Sequence, residues 1–150
     1  MPCTLPAVLA DAAVCRGSFH AVLRTDVPDT VFSAFSAALQ KAQADGSLLT
    51  ASLFRCESHL FFYAEGLNRP FTPQGLCPAL DAALLPWPPA LGETSPRPWA
   101  AMQPYFYHDI PTTAADWQQG RCPQRRRGRI ALLPPDKWCS YMEHHLRIVT

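Results

Sequence analysis

The sequence lacks the patterns by which a nucleotide or a zinc ion is ordinarily held. Neither GxGxxG nor GxxxxGK[ST] occurs and the seven glycines are scattered, so no phosphate cradle is expected. There is no HExxH and no CxxC pair, which excludes zinc-ribbon and finger sites. Charge is scarce too: 17% of residues are charged, and a formal net charge of +1 gives no field to draw nucleic acid or an anionic membrane. No apolar run approaches the roughly 18 residues of a membrane span. The opening stretch MPCTLPAVLADAAVC has no Lys or Arg before its apolar part, so a secretory signal is not expected.

What is present points to a folded domain. With 48% hydrophobic residues in 150, the chain can bury a core without disulfide staples. One domain is expected over 1–150: an N-terminal segment 1–18, a core 19–110 and a C-terminal arm 111–150. The six cysteines (3, 15, 56, 77, 122 and 139) are widely and irregularly spaced. They read as reduced thiols, mostly buried as small hydrophobes, in a cytoplasmic protein. Sixteen prolines, dense in 86–104 and 111–135 and mixed with tryptophan, suggest ordered loops wrapped on the domain. The basic run Gln124–Arg129, with Arg125–Arg127 at its centre, suits a solvated loop or a local anion contact rather than a nucleic-acid arm.

Phe19–Arg24 alternates as a strand, with Phe19, Ala21 and Leu23 on one side and His20, Val22 and Arg24 on the other. Val31, Phe32, Phe35, Ala38, Leu39 and Ala42 recur at helical spacing after Asp26-Val-Pro-Asp-Thr, and Gly46 is placed to end that helix. Leu48–Arg55 and His59–Glu65 read as two strands joined by a short turn. Leu60, Phe62 and Ala64 share one face of the second; His59, Phe61, Tyr63 and Glu65 share the other. A second helix is expected from Pro73 to Leu85 with Thr72 as its cap. A fourth strand is expected over Met102–Ile110, at an edge because of Pro104. The β-α-β-β-α-β order predicts an α+β, ferredoxin-like fold: a four-stranded antiparallel sheet with two helices, extended by a C-terminal strand (129–133) and a helix from Pro135 to Ile148.

Two helices on one sheet face leave the other open. That face would display His20, Arg24, Tyr63, Glu65, Tyr105 and Tyr107, a set too polar for a core and too aromatic for ordinary surface. Aromatic planes among hydroxyl, imidazole, guanidinium and carboxylate groups suit a polyhydroxylated, sugar-like ligand. The alternative is a structural role alone, as a dimer interface or part of a core. His20, His108 and His145 are the candidate proton-transfer groups near neutral pH. On the last helix Trp138, Tyr141, Met142, His145 and Val149 form one stripe, expected to face a cavity, with His144 displaced to its side. Glu143 and the adjacent histidines do not form a metal motif, and no metal or cofactor is expected.

Two stretches resemble the L-rhamnose mutarotase family. Trp138–Met142, "WCSYM", is similar to its Trp-Trp-Lys-Tyr-Met, and Tyr105–Pro111, "YFYHDIP", to its closing Val-Phe-Tyr-Leu-Pro strand. The two pieces stand here in the reverse order, and Phe32, Phe35 and Gln40 occupy the region where the family carries Tyr and His, so no catalytic residue transfers directly. The resemblance implies a homodimeric α/β barrel of ferredoxin-like units that interconverts sugar anomers by acid/base proton transfer without a cofactor. On that expectation His20 or His145 exchanges the proton. Tyr63, Tyr105 and Tyr107 orient hydroxyls, Trp138 and Tyr141 stack on the sugar, and Arg24 or Glu65 holds a polar end. The competing expectation is a non-catalytic dimerisation or protein-interaction module.

Overall fold

A computed structural model describes residues 11–89, 92–104, 111–120 and 133–148, without the side chains at 119, 120, 145, 146 and 148. The elements run β1 (Val14–Val22), α1 (Asp29–Ala44), β2 (Leu48–Cys56), β3 (His59–Leu67), α2 (Pro78–Ala82), β4 (Ala100–Ala101), α3 (Ala114–Gly120) and α4 (Trp138–Ile148). The sheet order is β2-β3-β1-β4 and every pairing is antiparallel. Because β1 and β2 both oppose β3, they run parallel to each other with β3 between them, and α1 makes the crossover.

The helical spacing on α1 does what it predicts. Phe35 and Ala42 are buried, Val31, Phe32 and Leu39 pack at the margin, and Gly46 takes a φ of 79° just past the helix end. These side chains meet Ala21, Leu60, Phe62 and Ala64 on the sheet and Leu80 on α2, forming one continuous core. Phe62 is its centre: its ring lies within 6.4 Å of those of Phe19, Phe35, Phe71 and Trp99. Trp99, only 2% exposed, brings the proline-rich segment onto the core as expected. Its indole donates to Asp81 Oδ1 at 2.9 Å, while Oδ2 accepts the Gly75 backbone N–H at 2.7 Å. One carboxylate on α2 thereby ties two loops together. The four described cysteines are free thiols, but they are not mostly buried as expected: Cys77 is buried, Cys15 half-buried, and Cys56 and Cys139 are exposed, at a strand end and on the surface of α4.

Four boundaries differ from the sequence reading. β1 starts at Val14, not Phe19, so residues 14–18 belong to the core sheet. Arg16 and Gly17 break the apolar alternation and conceal this start. A Cβ at Gly17 would lie 2.7 Å from the Phe19 ring and 3.0 Å from the Phe71 carbonyl, so the position needs glycine for close approach. Second, α2 is five residues long and begins after Cys77. Thr72 Oγ1 accepts from Gln74 N at 3.3 Å, closing a local turn instead of capping a helix. Third, the edge of β1 is paired earlier than expected, at Ala100–Ala101, with Met102 N donating to Ser18 O at 2.7 Å. Lastly, a bridge from Ala13 to Thr113 resumes pairing with the N-terminal end of β1's run. The intervening 105–110, the 129–133 strand and Arg125–Arg127 lie outside the described residues. The expected last helix forms as α4, beginning at Trp138 after a 3₁₀ turn at Pro135–Lys137, and α3 supplies a short helix within the C-terminal arm. No helix among the described residues is long and apolar enough to cross a membrane.

Phe62→Ala removes the ring that joins helices, sheet and proline loop. It is expected to lower unfolding free energy by about 3–5 kcal/mol in urea titration. A loss under about 1 kcal/mol would mean the core does not converge there.

Candidate functional site

The sheet face turned away from α1 and α2 is divided between two clusters. Alternation places Val14, Arg16, Ser18, His20 and Val22 of β1 on this face, opposite Leu67, Glu65, Tyr63, Phe61 and His59 of β3. Phe61 and Glu65 are four residues apart on β3, about 13 Å in extended chain. What happens at the two ends is chemically different.

At one end the face is closed. Glu65 is 2% exposed, a carboxylate that must find donors or be too costly to bury. Tyr63, two residues before it on the same face, donates its hydroxyl to Oε1 at 2.5 Å, and Trp117 on α3 donates its indole N–H to Oε2 at 2.6 Å. Arg16, its cross-strand partner, has Nε at 3.5 Å from Oε1 and donates through its guanidinium to the Pro111 carbonyl. Trp117 also packs with Val14, Leu49 and Leu67. So Glu65 and Tyr63 do lie on the expected face, but their polar atoms serve an internal network that seats α3.

The other end is imidazole chemistry among rings. His20 Nε2 and His59 Nδ1 are 2.9 Å apart, so one nitrogen donates and the other accepts. Phe61 stacks on His20, with centroids 4.8 Å apart and planes 8° off parallel, and Trp87 leans over it at 5.3 Å. His20 is half-buried and His59 exposed. Burial, and secondarily the neighbouring His59 charge, lower the His20 pKa below its ordinary 6.5. A neutral imidazole already engaged with a second one is a proton acceptor and donor in the pH range of most metabolism.

The remaining expected site residues lie elsewhere. Arg24 falls past the end of β1 and lines a separate cleft of about 320 Å³ with Asp26, Arg55 and Glu57, reaching toward the Leu84 carbonyl at 3.4 Å. Trp138 and Tyr141, expected to face inward, are 37% and 46% exposed. Tyr105, Tyr107 and His108, and the side chain of His145, lie outside the described residues. Among the described residues no group of three or more His, Cys, Asp or Glu side chains is placed to hold a metal ion. Sequence reasoning put His59 and Phe61 on the right face without joining them to His20, because register, not spacing, makes Phe61 its direct partner. Trp87, in a proline-flanked loop, carries no periodic signal at all.

Two outcomes follow. Glu65→Ala should cost about 3–5 kcal/mol because it strands the Arg16 guanidinium, whereas Trp117→Phe, which only deletes one donor to a charged group, should cost about 1.5–3 kcal/mol; urea unfolding measures both. His20 binds protons more weakly folded than unfolded, so its contribution to stability is intact above pH 6.5 and is lost as pH falls below it toward the lowered folded value. Melting temperatures between pH 7.5 and 5 should therefore fall less steeply for His20→Gln than for the parent. Parallel curves would remove His20 as the source.

Comparison of the chain with family models, with curated proteins and with solved structures finds no match.

Proposed function

We propose that the His20 end of the open sheet face binds a small carbohydrate and catalyses its anomer exchange without a cofactor, as an isomerase of the mutarotase kind. The observation that carries this reading is the His20–His59 pair, held edge to edge at 2.9 Å with the rings of Phe61 and Trp87 against His20. Mutarotation needs a base to take the anomeric hydroxyl proton and an acid to protonate the ring oxygen as the C1–ring oxygen bond opens. Rotation about C1–C2 and the reverse transfers then complete the exchange. Two imidazoles that can each donate or accept supply both roles, and each positioned proton transfer is worth about 10²–10⁴-fold. Phe61 and Trp87 offer the apolar planes that cover a sugar's C–H faces.

The rest of the proposal concerns the fold and its assembly in a reducing, cytoplasmic setting. Read from the other edge, the order β4-β1-β3-β2 with split β-α-β crossovers supports the ferredoxin-like arrangement. In the barrel form two copies set their open faces together. Since α3 occupies the Glu65 end, the contact would run through the His20 end. The similarity of "WCSYM" and "YFYHDIP" to the L-rhamnose mutarotase family supports the same ligand class.

The row Phe54–Phe61–His20, aligned across three strands, also favours the alternative of a non-catalytic dimerisation module. One experiment separates them. Magnetisation exchange between the α and β anomers of 6-deoxy and unmodified hexoses is recorded by proton NMR with and without the protein. A faster exchange that drops about 10²-fold or more in His20→Ala supports the enzyme. No sugar exchanging above the buffer rate, together with a dimer that Phe61→Glu dissociates, supports the module instead.

A further inference from the structure

Beyond proton exchange, we propose that His20 and His59 form a two-histidine chelate for a divalent transition-metal ion of the nickel and copper class, on the open face of the sheet. The ligand atoms are His20 Nε2 and His59 Nδ1.

The distances carry this. Metal–imidazole bonds of about 2.0–2.1 Å set at a right angle place two nitrogens about 2.9 Å apart, and at the tetrahedral angle about 3.4 Å. The observed separation is 2.9 Å, but the ring centroids, 5.1 Å apart, show the two nitrogens pointing at each other along their hydrogen bond, so each ring must turn by roughly 45° to aim at a common ion. Replacing the shared hydrogen by an ion requires the rings to turn and the strands to stay where they are. The strands fix the pair well: Val22 opposes His59 and Phe61 opposes His20, so the two histidines lie diagonally across one antiparallel ladder. His59 is exposed, which leaves the approach open and the other coordination positions to water or to a donor from another molecule. Imidazole ligands in a cis arrangement with open positions suit nickel and copper better than the hard ions magnesium and calcium, which prefer oxygen.

The proton balance is simple. In the hydrogen-bonded pair one of the two facing nitrogens carries a proton. On metal binding that ring shifts its proton to its far nitrogen, both facing nitrogens become lone-pair donors, and no net proton leaves at neutral pH. The chelate and the sugar reading use the same nitrogens, so bound metal would block proton exchange.

The test uses the full chain with a non-chelating phosphine reductant, because the free thiols would react with copper. Nickel(II), a paramagnetic quencher, is titrated against tryptophan fluorescence, for which Trp87 at 5.3 Å from the His20 ring is the reporter. Stoichiometry is measured by calorimetry. Saturable quenching is expected. It should weaken about 100-fold or more in His20→Ala and in His59→Ala, since losing even an outer-shell partner costs about 10–100-fold. Trp87→Phe should abolish the optical change and keep the heat, and Cys139→Ser, on the distant α4, should alter neither. His59 is exposed, so its variant is expected to keep the parent's circular dichroism. Absence of saturable binding, or binding unchanged in folded His59→Ala, overturns the proposal. Such a failure leaves the anomer-exchange reading standing, because that is read from sugar NMR with no metal added.

Discussion

A carboxylate buried on a central strand imposes conditions on everything near it. Glu65 sits on β3 with 2% of its surface exposed, and an ion so placed is tolerable only if its oxygens are answered by donors. The answers come from three parts of the chain: Tyr63 two residues earlier, Arg16 across the ladder, and Trp117 on α3, fifty-two positions away. The last of these is why the segment from Pro111 onward returns to the sheet and closes one end of its second face. Val14, Leu49 and Leu67 then gain in Trp117 a partner that the two main helices, lying on the opposite face, could not provide.

That closure decides where chemistry can occur. With the Glu65 end sealed, the other end of the same face keeps two imidazoles at hydrogen-bonding distance among aromatic rings. Burial weakens proton binding at His20, and a nitrogen with a free lone pair near neutral pH serves either as a base or as a ligand. The two facing nitrogens already share a proton at 2.9 Å, so any further occupant of this pair would have to displace it.

Local regularities exposed much of the frame. Residues 31–42 repeat at helical spacing and form α1; 48–56 and 59–67 alternate or run apolar and form a hairpin. Boundaries were less visible where sequence signals conflict. Arg16 and Gly17 interrupt the pattern of β1 because one answers Glu65 and the other makes room for Phe71. Pro73 and Thr72 look like a helix start, but the local turn at Gln74 and the Asp81 carboxylate satisfy that backbone without a helix. The open face and its polar aromatic character were legible from alternation alone. The division of that face was not, since Trp87 and Trp117 reach it from segments with no periodicity.

The sequence by itself determined the order of the core elements from β1 to α2, the central helix, the apolar side of each long strand and the lack of nucleotide and zinc-finger motifs, because these depend on spacing and residue type within a few turns of chain. Only the tertiary structure decided that Glu65 is sealed, that His20 meets His59 rather than Tyr63, and that Arg24, Trp138 and Tyr141 stand apart from them. Those outcomes depend on strand register and on long-range return of the chain, and a one-residue change in register would exchange every one of these side chains for its neighbour on the opposite face.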